Sequence, residues 1–249
     1  MSDTNQETTT RSDTLLAVND VSLSFGDVNA LDDVSFEIPR ETVTAIIGPN
    51  GSGKTTLTDI VTGLRRPDSG EVALDASSDR PIGYLPQSPR FRPVFTVEET
   101  LQFYADLLFT PVDIDAAMER VGLSDVPDRR VDALSGGMRR LLGLAQSVLG
   151  DPSLVILDEP TSGLDPRMTK QIFDIAAGQA DDDTAVLLTT HDLSYAANAD
   201  NVVVLNRGTV IDSGSPAELT ARTNTESLAE AFLAMVGTTP TVQTGTGGD

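Results

Sequence analysis

The feature that most constrains the fold is a short apolar strand pattern that runs directly into a glycine-rich loop. Residues 42–47 form a compact run rich in β-branched side chains, typical of a strand buried inside a sheet. Residues 48–55, GPNGSGKT, follow at once and match the pattern G-x-x-x-x-G-K-[ST]. A helix is predicted from Lys54 to about Thr62, closed by Gly63. This strand–loop–helix context favours a phosphate-binding loop over a chance glycine-rich turn.

The residue types of this phosphate loop (residues 48–55) each have a physical task. Glycines let main-chain N–H groups approach a phosphate closely, and the helix start after Gly53 adds unpaired N–H groups and a positive dipole end. Lys54 is expected to reach the β- and γ-phosphates of ATP, and the Thr55 hydroxyl to bind Mg²⁺. ATP and Mg²⁺ are therefore the predicted cofactors. The residues assigned here to nucleotide binding are Gly48, Asn50, Gly51, Ser52, Gly53, Lys54, Thr55 and Thr56.

A second apolar strand pattern ends in two acidic residues. Residues 154–157 are wholly apolar, as in a strand covered on both faces of a parallel sheet, and Asp158 and Glu159 follow. Ligands bind at the carboxyl edge of such sheets, so both carboxylates would face the nucleotide. Asp158 is the predicted Mg²⁺ ligand, and Glu159 is predicted to polarise the attacking water. A solvated acidic turn is the alternative, but the nearby phosphate loop favours the catalytic interpretation.

The segment LSGGM at residues 134–138, called the signature loop below, predicts a second anion site. Ser135 is expected to cap a helix, and Gly136 and Gly137 would leave the first N–H groups of that helix accessible. An ordinary helix cap is the simpler alternative. Two phosphate sites on different elements of one chain suggest that a second copy completes each site.

Two further polar residues come after predicted strands. His191 is the only histidine, and its place after an apolar strand favours a role near the γ-phosphate over a structural one. Gln87 follows a short predicted strand at residues 82–85 and carries no assignment on its own.

Strand and helix patterns alternate along most of the chain, which predicts an α/β fold with a largely parallel sheet. Helices between about residues 95 and 150 interrupt this alternation and are predicted to form an inserted helical subdomain. The polar residues 1–13 and 237–249 are predicted to be disordered tails. The other predicted strands are residues 15–25, 34–38, 70–74, 185–188 and 202–205, and the other predicted helices are 96–108, 113–122, 135–149, 166–180 and one starting at 215–218.

Together these motifs resemble the nucleotide-binding domain of an ABC transporter over residues 14–236. The resemblance implies a P-loop NTPase with a mostly parallel core sheet, an antiparallel β subdomain and the inserted helical subdomain. It makes the phosphate loop Walker A, and Asp158 with Glu159 Walker B. The remaining matches are Phe25 with the aromatic that stacks on adenine, Gln87 with the Q-loop that contacts Mg²⁺ and the catalytic water, Ser135, Gly136 and Gly137 with the signature motif, Asp165 with the D-loop and His191 with the H-switch.

The resemblance also implies partners. ATP would lie between Walker A of one subunit and the signature loop of another, in a head-to-tail homodimer or a pseudo-dimer with a similar ATPase. A separate integral membrane permease would dock near Gln87, where residues 88–95 form a stiff apolar stretch. The chain would then be cytoplasmic and peripheral on the inner face of the cell membrane.

The signature loop departs from the family pattern, because it ends in Met138 where glutamine is common. This form resembles ATPases of drug and lipid exporters and those of nitrous oxide reductase maturation. The predicted function is ATP-driven transport of export type through the permease. A soluble ABC ATPase that assists metal-centre assembly is the alternative. The complete set of Asp158, Glu159 and His191 disfavours a catalytically idle binding module.

The net charge of −21, from 38 acidic and 17 basic residues, excludes some partners and suggests an environment. So large an acidic excess opposes nucleic-acid binding, which depends on cations that neutralise phosphates. Lys54 and Lys170 are the only lysines. An acidic chain almost without lysine resembles proteins of salt-rich cytosols, although a merely soluble acidic protein is the plainer interpretation.

A salt-adapted chain is expected to melt at a higher temperature as KCl rises to molar concentration. The reason is that the screening length falls from about 10 Å at 0.1 M to about 3 Å at 1 M, which weakens repulsion among the carboxylates. Circular dichroism melts in a KCl series measure this, with a non-ionic osmolyte as the control. A melting temperature no higher at molar salt than at low salt would contradict the hypothesis of salt adaptation.

Overall fold

The computed structural model describes residues 13–76, 78, 80–180 and 184–237, which form two β-sheets flanked by helices. The strands are β1 (Thr14–Phe25), β2 (Val28–Pro39), β3 (Val43–Ile47), β4 (Ser69–Leu74), β5 (Ile82–Leu85), β6 (Leu154–Asp158), β7 (Ala185–Thr190), β8 (Asn201–Asn206) and β9 (Thr209–Gly214). The helices are α1 (Lys54–Val61), α2 (Val97–Ala105), α3 (Ile114–Val121), α4 (Gly136–Val148), α5 (Pro166–Ala177), α6 (Leu193–Ala196), α7 (Pro216–Thr223) and α8 (Leu228–Val236).

The larger sheet has the strand order β5-β6-β7-β3-β8-β9, and all its neighbouring strands run parallel except the pair β8 and β9. Every residue of β3, β6 and β7 is buried, which explains their continuous apolar runs. The carboxyl ends of these three strands therefore lie side by side at one edge, where the phosphate loop, Asp158 and His191 follow. The parallel core sheet predicted from the sequence is confirmed.

The smaller sheet is antiparallel, with the order β2-β1-β4. Alternating apolar residues of β1 and β2 point to one buried face, as the period of a half-covered strand requires. β2 begins at Val28, earlier than the predicted residue 34, because its first half is mostly exposed and its apolar residues do not alternate regularly with polar ones. This sheet is the antiparallel subdomain that the family resemblance implied.

The helix starts follow the predicted caps. Thr96 forms a full capping box with Glu99 at the start of α2, and Asp113 and Ser135 cap α3 and α4. α2 and α5 end three residues earlier than predicted, at Ala105 and Ala177. Three elements were not predicted from the sequence: β9, which alternates exposed and half-buried residues at the sheet edge, α6, which has four residues, and α8.

The two faces of the larger sheet belong to two apolar cores. One face packs with α2, α3 and α4, so the helical block (residues 95–150) shares its core with the sheet. The other face packs with α1 and the smaller sheet. Alternate residues of single strands divide between the cores, as Ile46 and Ile47 do in β3.

The structure describes one residue of each predicted tail, Asp13 and Gly237. The Asp13 carbonyl accepts a hydrogen bond from the Arg40 N–H at 2.9 Å, and the Gly237 N–H donates to the Leu233 carbonyl at 3.0 Å. The rest of the predicted tails, residues 1–12 and 238–249, lies outside the described residues. Within the described ranges, every helix is too short or too polar to traverse a lipid bilayer.

Candidate functional site

The phosphate loop connects the carboxyl end of β3 to α1, and its shape depends on glycine. A Cβ at Gly48 would lie 2.1 Å from the Leu205 carbonyl oxygen, and Gly53 has φ +107° at the N-terminus of α1. The Lys54 side chain is only 7% exposed, and its Nζ donates to the Gly48 carbonyl at 2.8 Å. The Lys54 side chain therefore folds back over the phosphate loop and contacts its first residue.

Unused polar groups of the loop fit a phosphate ligand. The Ser52 hydroxyl is buried and has no hydrogen-bond partner among the residues that the structure describes. A buried polar group without a partner is costly, so an added acceptor or donor at this place is favourable. The first turn of α1 carries no acidic residue, which leaves its N-terminal N–H groups and dipole suited to an anion. These features match a triphosphate cradle.

Glu159 lies next to the loop, and its carboxylate has two close polar partners. Its Oε1 is 3.5 Å from Lys54 Nζ, and its Oε2 is 2.7 Å from His191 Nδ1. The carboxylate is 9% exposed, whereas the imidazole is 61% exposed. Glu159 also has φ +46°, a left-handed conformation that costs free energy for a residue other than glycine. The three predicted residues thus form one contiguous group.

Asp158 is buried beside Glu159 and is held by two hydroxyls. Thr189 Oγ1 donates to Asp158 Oδ1 at 2.6 Å, and the side chain of Thr55 hydrogen-bonds the same carboxyl group. Burial raises the pKa of Asp158, the charges of Glu159 and Asp59 raise it further, and the two hydroxyls oppose the shift.

The two predicted Mg²⁺ ligands of this edge, Thr55 and Asp158, are therefore in contact. The described residues contain no cluster of three or more histidine, cysteine or acidic side chains that could form a closed metal site. Mg²⁺ usually keeps several waters and binds through one or two carboxylates together with substrate phosphates. One carboxylate and one hydroxyl beside a phosphate loop fit that mode of binding.

Gln87 makes no contact with the group of Lys54, Glu159 and His191 among the bonds of the described residues. It is connected instead to α4, the helix that begins at the signature loop. Its side chain is exposed, while its main-chain carbonyl and that of Pro86 accept hydrogen bonds from Arg140 of α4. Burial lowers the pKa of Arg140 from its ordinary value, and the nearby charge of Asp158 opposes that shift. The roles of Gln87 in catalysis and metal binding remain predictions.

The signature loop and the D-loop residue Asp165 lie at two neighbouring helix starts. Ser135 caps α4 by accepting from the Met138 N–H at 3.2 Å, and Asp165 caps α5. The Met168 side chain of α5 packs so closely on Gly137 that a Cβ there would be 2.9 Å away. In the described part of the chain, no hydrogen bond or ion pair connects the signature loop to the phosphate loop. Nucleotide binding by these residues remains a prediction.

Phe25, the predicted adenine contact, ends β1 with 47% of its surface exposed. The guanidinium of Arg65 lies 4.8 Å from the centre of its ring. An exposed aromatic face next to a cation can stack on a base, and adenine stacking on Phe25 stays a prediction.

Thr189 and Arg140 are the polar groups at the site that the sequence reasoning missed. Both are buried, and each connects two segments that are distant in the sequence. The signal for Thr189 was available, since a Thr-Thr pair directly before His191 ends an otherwise apolar strand. A single arginine in a helix gives no such signal.

Comparison with known proteins agrees with this geometry. The family model described as ABC transporter matches residues 31–162, more than half of the chain. The chain is a member of the ABC transporter ATP-binding family. The predicted P-loop NTPase fold is confirmed as well, because a solved ATP-binding subunit of an ABC transporter has a TM-score of 0.81 and 27% identity. That likeness covers 89% of this chain and 99% of the other.

Curated ABC relatives include single subunits and longer proteins. Daunorubicin resistance ATP-binding protein DrrA3 of Streptomyces coeruleorubidus is 36% identical over 225 residues, 85% of this chain and 71% of the relative. ABC transporter G family member 20 of Dictyostelium discoideum is 31% identical over 231 residues, 88% of this chain. The chain spans only 32% of that second relative.

Proposed function

We propose that this chain hydrolyses Mg-ATP as the ATPase subunit of an ABC transporter. The observation that carries the proposal is the position of Glu159, whose carboxylate lies between Lys54 of the phosphate loop and His191. A buried carboxylate beside a triphosphate cradle is suited to act as a general base toward water. A binding module without catalysis has no use for this arrangement.

The residues divide the reaction among them. The phosphate loop and Lys54 bind the triphosphate and spread the negative charge that develops on the γ-phosphoryl group. Glu159 orients the attacking water and accepts its proton, while His191 holds the carboxylate from the other side. Thr55 and Asp158 would hold Mg²⁺, which would supply positive charge beside the triphosphate.

The active form is a head-to-tail dimer in this proposal. The signature loop offers an exposed helix start, with space beside Gly136 and a capping serine, but makes no polar contact with its own phosphate loop. A second copy related by a two-fold axis would place each signature loop over the partner's nucleotide. ATP would then join two half-sites, and hydrolysis would release them.

Mixing two inactive variants tests the dimer and the chemistry together. Lys54→Ala damages the phosphate loop, and Ser135→Arg places a bulky cation at the exposed signature loop. Each variant alone is expected to release no phosphate. A 1:1 mixture is expected to recover about a quarter of the wild-type rate, since half the dimers are mixed and each has one intact site. Phosphate release measures this, and a mixture as inactive as its components contradicts the shared site.

A membrane permease is the proposed partner, with docking at residues 88–95 and α2. Val94 is 62% exposed in this stretch, and the guanidinium of Arg92 lies 5.0 Å from the Phe95 ring centre and 4.4 Å from that of Phe103. An exposed apolar and aromatic surface suits a short helix of another protein. The export direction is supported by the name of a relative that is 32% identical over 219 residues, Nod factor export ATP-binding protein I of Ralstonia nicotianae. Recovery of an integral membrane protein with this chain from detergent-solubilised host membranes tests the partner, and a purely soluble complex would contradict it.

A further inference from the structure

Thr189 is fully buried at the carboxyl end of β7, where it pairs in parallel register with Asp158 of β6. Its Oγ1 accepts a hydrogen bond from the Glu159 main-chain N–H at 2.9 Å. The same hydroxyl donates to Asp158 Oδ1 at 2.6 Å. One side chain outside the motifs described above therefore contacts both acidic residues of the site.

The direction of the hydroxyl proton follows from its partners. A main-chain N–H can only donate, so the Thr189 oxygen must accept there and direct its single proton to Asp158. Asp158 Oδ1 thereby accepts one hydrogen bond, and the Thr55 side chain bonds the same carboxyl group, so the two hydroxyls restrict its rotation. The bond from the Glu159 N–H stabilises a residue whose φ of +46° is strained.

We propose that Thr189 is a positioning residue that aligns Asp158 for Mg²⁺ and fixes the main chain of Glu159 for the water. This inference rests on the function proposed above and names a residue beyond it. Removal of the hydroxyl leaves the methyl packing of a buried strand intact but frees the carboxyl group to rotate. Outer-shell hydrogen bonds of this kind are typically worth about 10- to 100-fold in metal affinity or activity.

The chain contains a matched control on the neighbouring strand. Thr44 lies on β3 beside β7 and is also fully buried, but its hydroxyl has no partner within the described part of the chain. Thr44→Val and Thr189→Val make the same chemical change in the same sheet. Only the second removes hydrogen bonds to the site. Thr189→Ser keeps the hydroxyl and removes the methyl group.

The experiment measures binding of a non-hydrolysable ATP analogue by titration calorimetry, with Mg²⁺ and with EDTA, and then steady-state phosphate release. Thr189→Val is expected to bind the analogue as the wild type does in EDTA and to lose most of the gain in affinity that Mg²⁺ gives. Its kcat is expected to fall by about 10- to 100-fold. Thr189→Ser and Thr44→Val are expected to resemble the wild type in both measurements.

Three outcomes would overturn the inference: a wild-type Mg²⁺ effect in Thr189→Val, equal damage in Thr189→Ser, or equal damage in Thr44→Val. If Thr189→Val does not fold, Thr189→Ala makes the same comparison with the serine variant. The calorimetric measurement of analogue binding does not require ATP hydrolysis. A wild-type protein without ATPase activity would contradict the proposed function, whereas the Mg²⁺-linked binding difference between the threonine variants would still decide the role of Thr189.

Discussion

Glu159→Gln is expected to lower ATP turnover by at least about 100-fold while ATP binding is retained, because a general base contributes roughly that much or more. Glutamine has nearly the shape of glutamate but cannot accept the proton of the attacking water. The amide can still lie between Lys54 and His191, so the site should keep its form. Phosphate release under saturating Mg-ATP measures turnover, and equilibrium titration with labelled ATP measures binding.

The same variant should also accumulate a dimer with ATP, since the nucleotide that joins the half-sites is not consumed. Size-exclusion chromatography with and without Mg-ATP detects this change. Glu119→Gln is the control, because Glu119 is an exposed acidic residue of α3, far in sequence from the site. Full turnover by Glu159→Gln would remove Glu159 from its proposed role and leave the general base unidentified.

Lys54→Ala is expected to abolish nucleotide binding in the micromolar range, and with it turnover. A hydrogen bond to a charged group is worth about 1.5–3 kcal/mol, and every 1.4 kcal/mol is about tenfold in affinity. The loss should exceed one such bond, because Lys54 contacts more than one phosphate oxygen in the proposed complex. Its removal also leaves the buried carboxylate of Glu159 without its ammonium partner. Titration calorimetry with ATP measures the affinity.

The chain supplies its own control for this change. Lys170, the other lysine, is exposed on α5 and pairs with Asp174 four residues on, so Lys170→Ala removes the same charge without touching the site. Wild-type ATP affinity is expected for Lys170→Ala. Micromolar affinity retained by Lys54→Ala would contradict the assignment of the phosphate loop.

Local patterns predicted the segments that form the site. The strand before Gly48, the helix after it and the apolar strand before Asp158 are each specified by neighbours in the sequence, and each forms as expected. Motif order then predicted the family. The hydrogen bonds of Thr189 were not predictable in this way, since they depend on the register of β6 against β7, whose residues lie about thirty positions apart.

Other differences have the same origin. The mostly exposed first half of β2 and the edge strand β9 pair with neighbouring strands that supply hydrogen bonds, so their own sequences need no regular apolar alternation. The contact of Arg140 with the carbonyl of Gln87 depends on how α4 packs under β5, which no single segment encodes. The lysine–glutamate contact likewise connects the segments that follow β3 and β6, two strands that are separated in the sheet by β7.

That lysine–glutamate contact changes what a measured ATP affinity means for this protein. Lys54 already has an internal anion at 3.5 Å and a carbonyl at 2.8 Å. An arriving triphosphate therefore competes with the chain itself for the ammonium group, and binding is an exchange of partners. The dissociation constant therefore reports the difference in free energy between two pairings of Lys54, one with the triphosphate and one with Glu159 at the end of β6. On this view, ATP binding and the release of the Glu159 carboxylate from Lys54 are the same event.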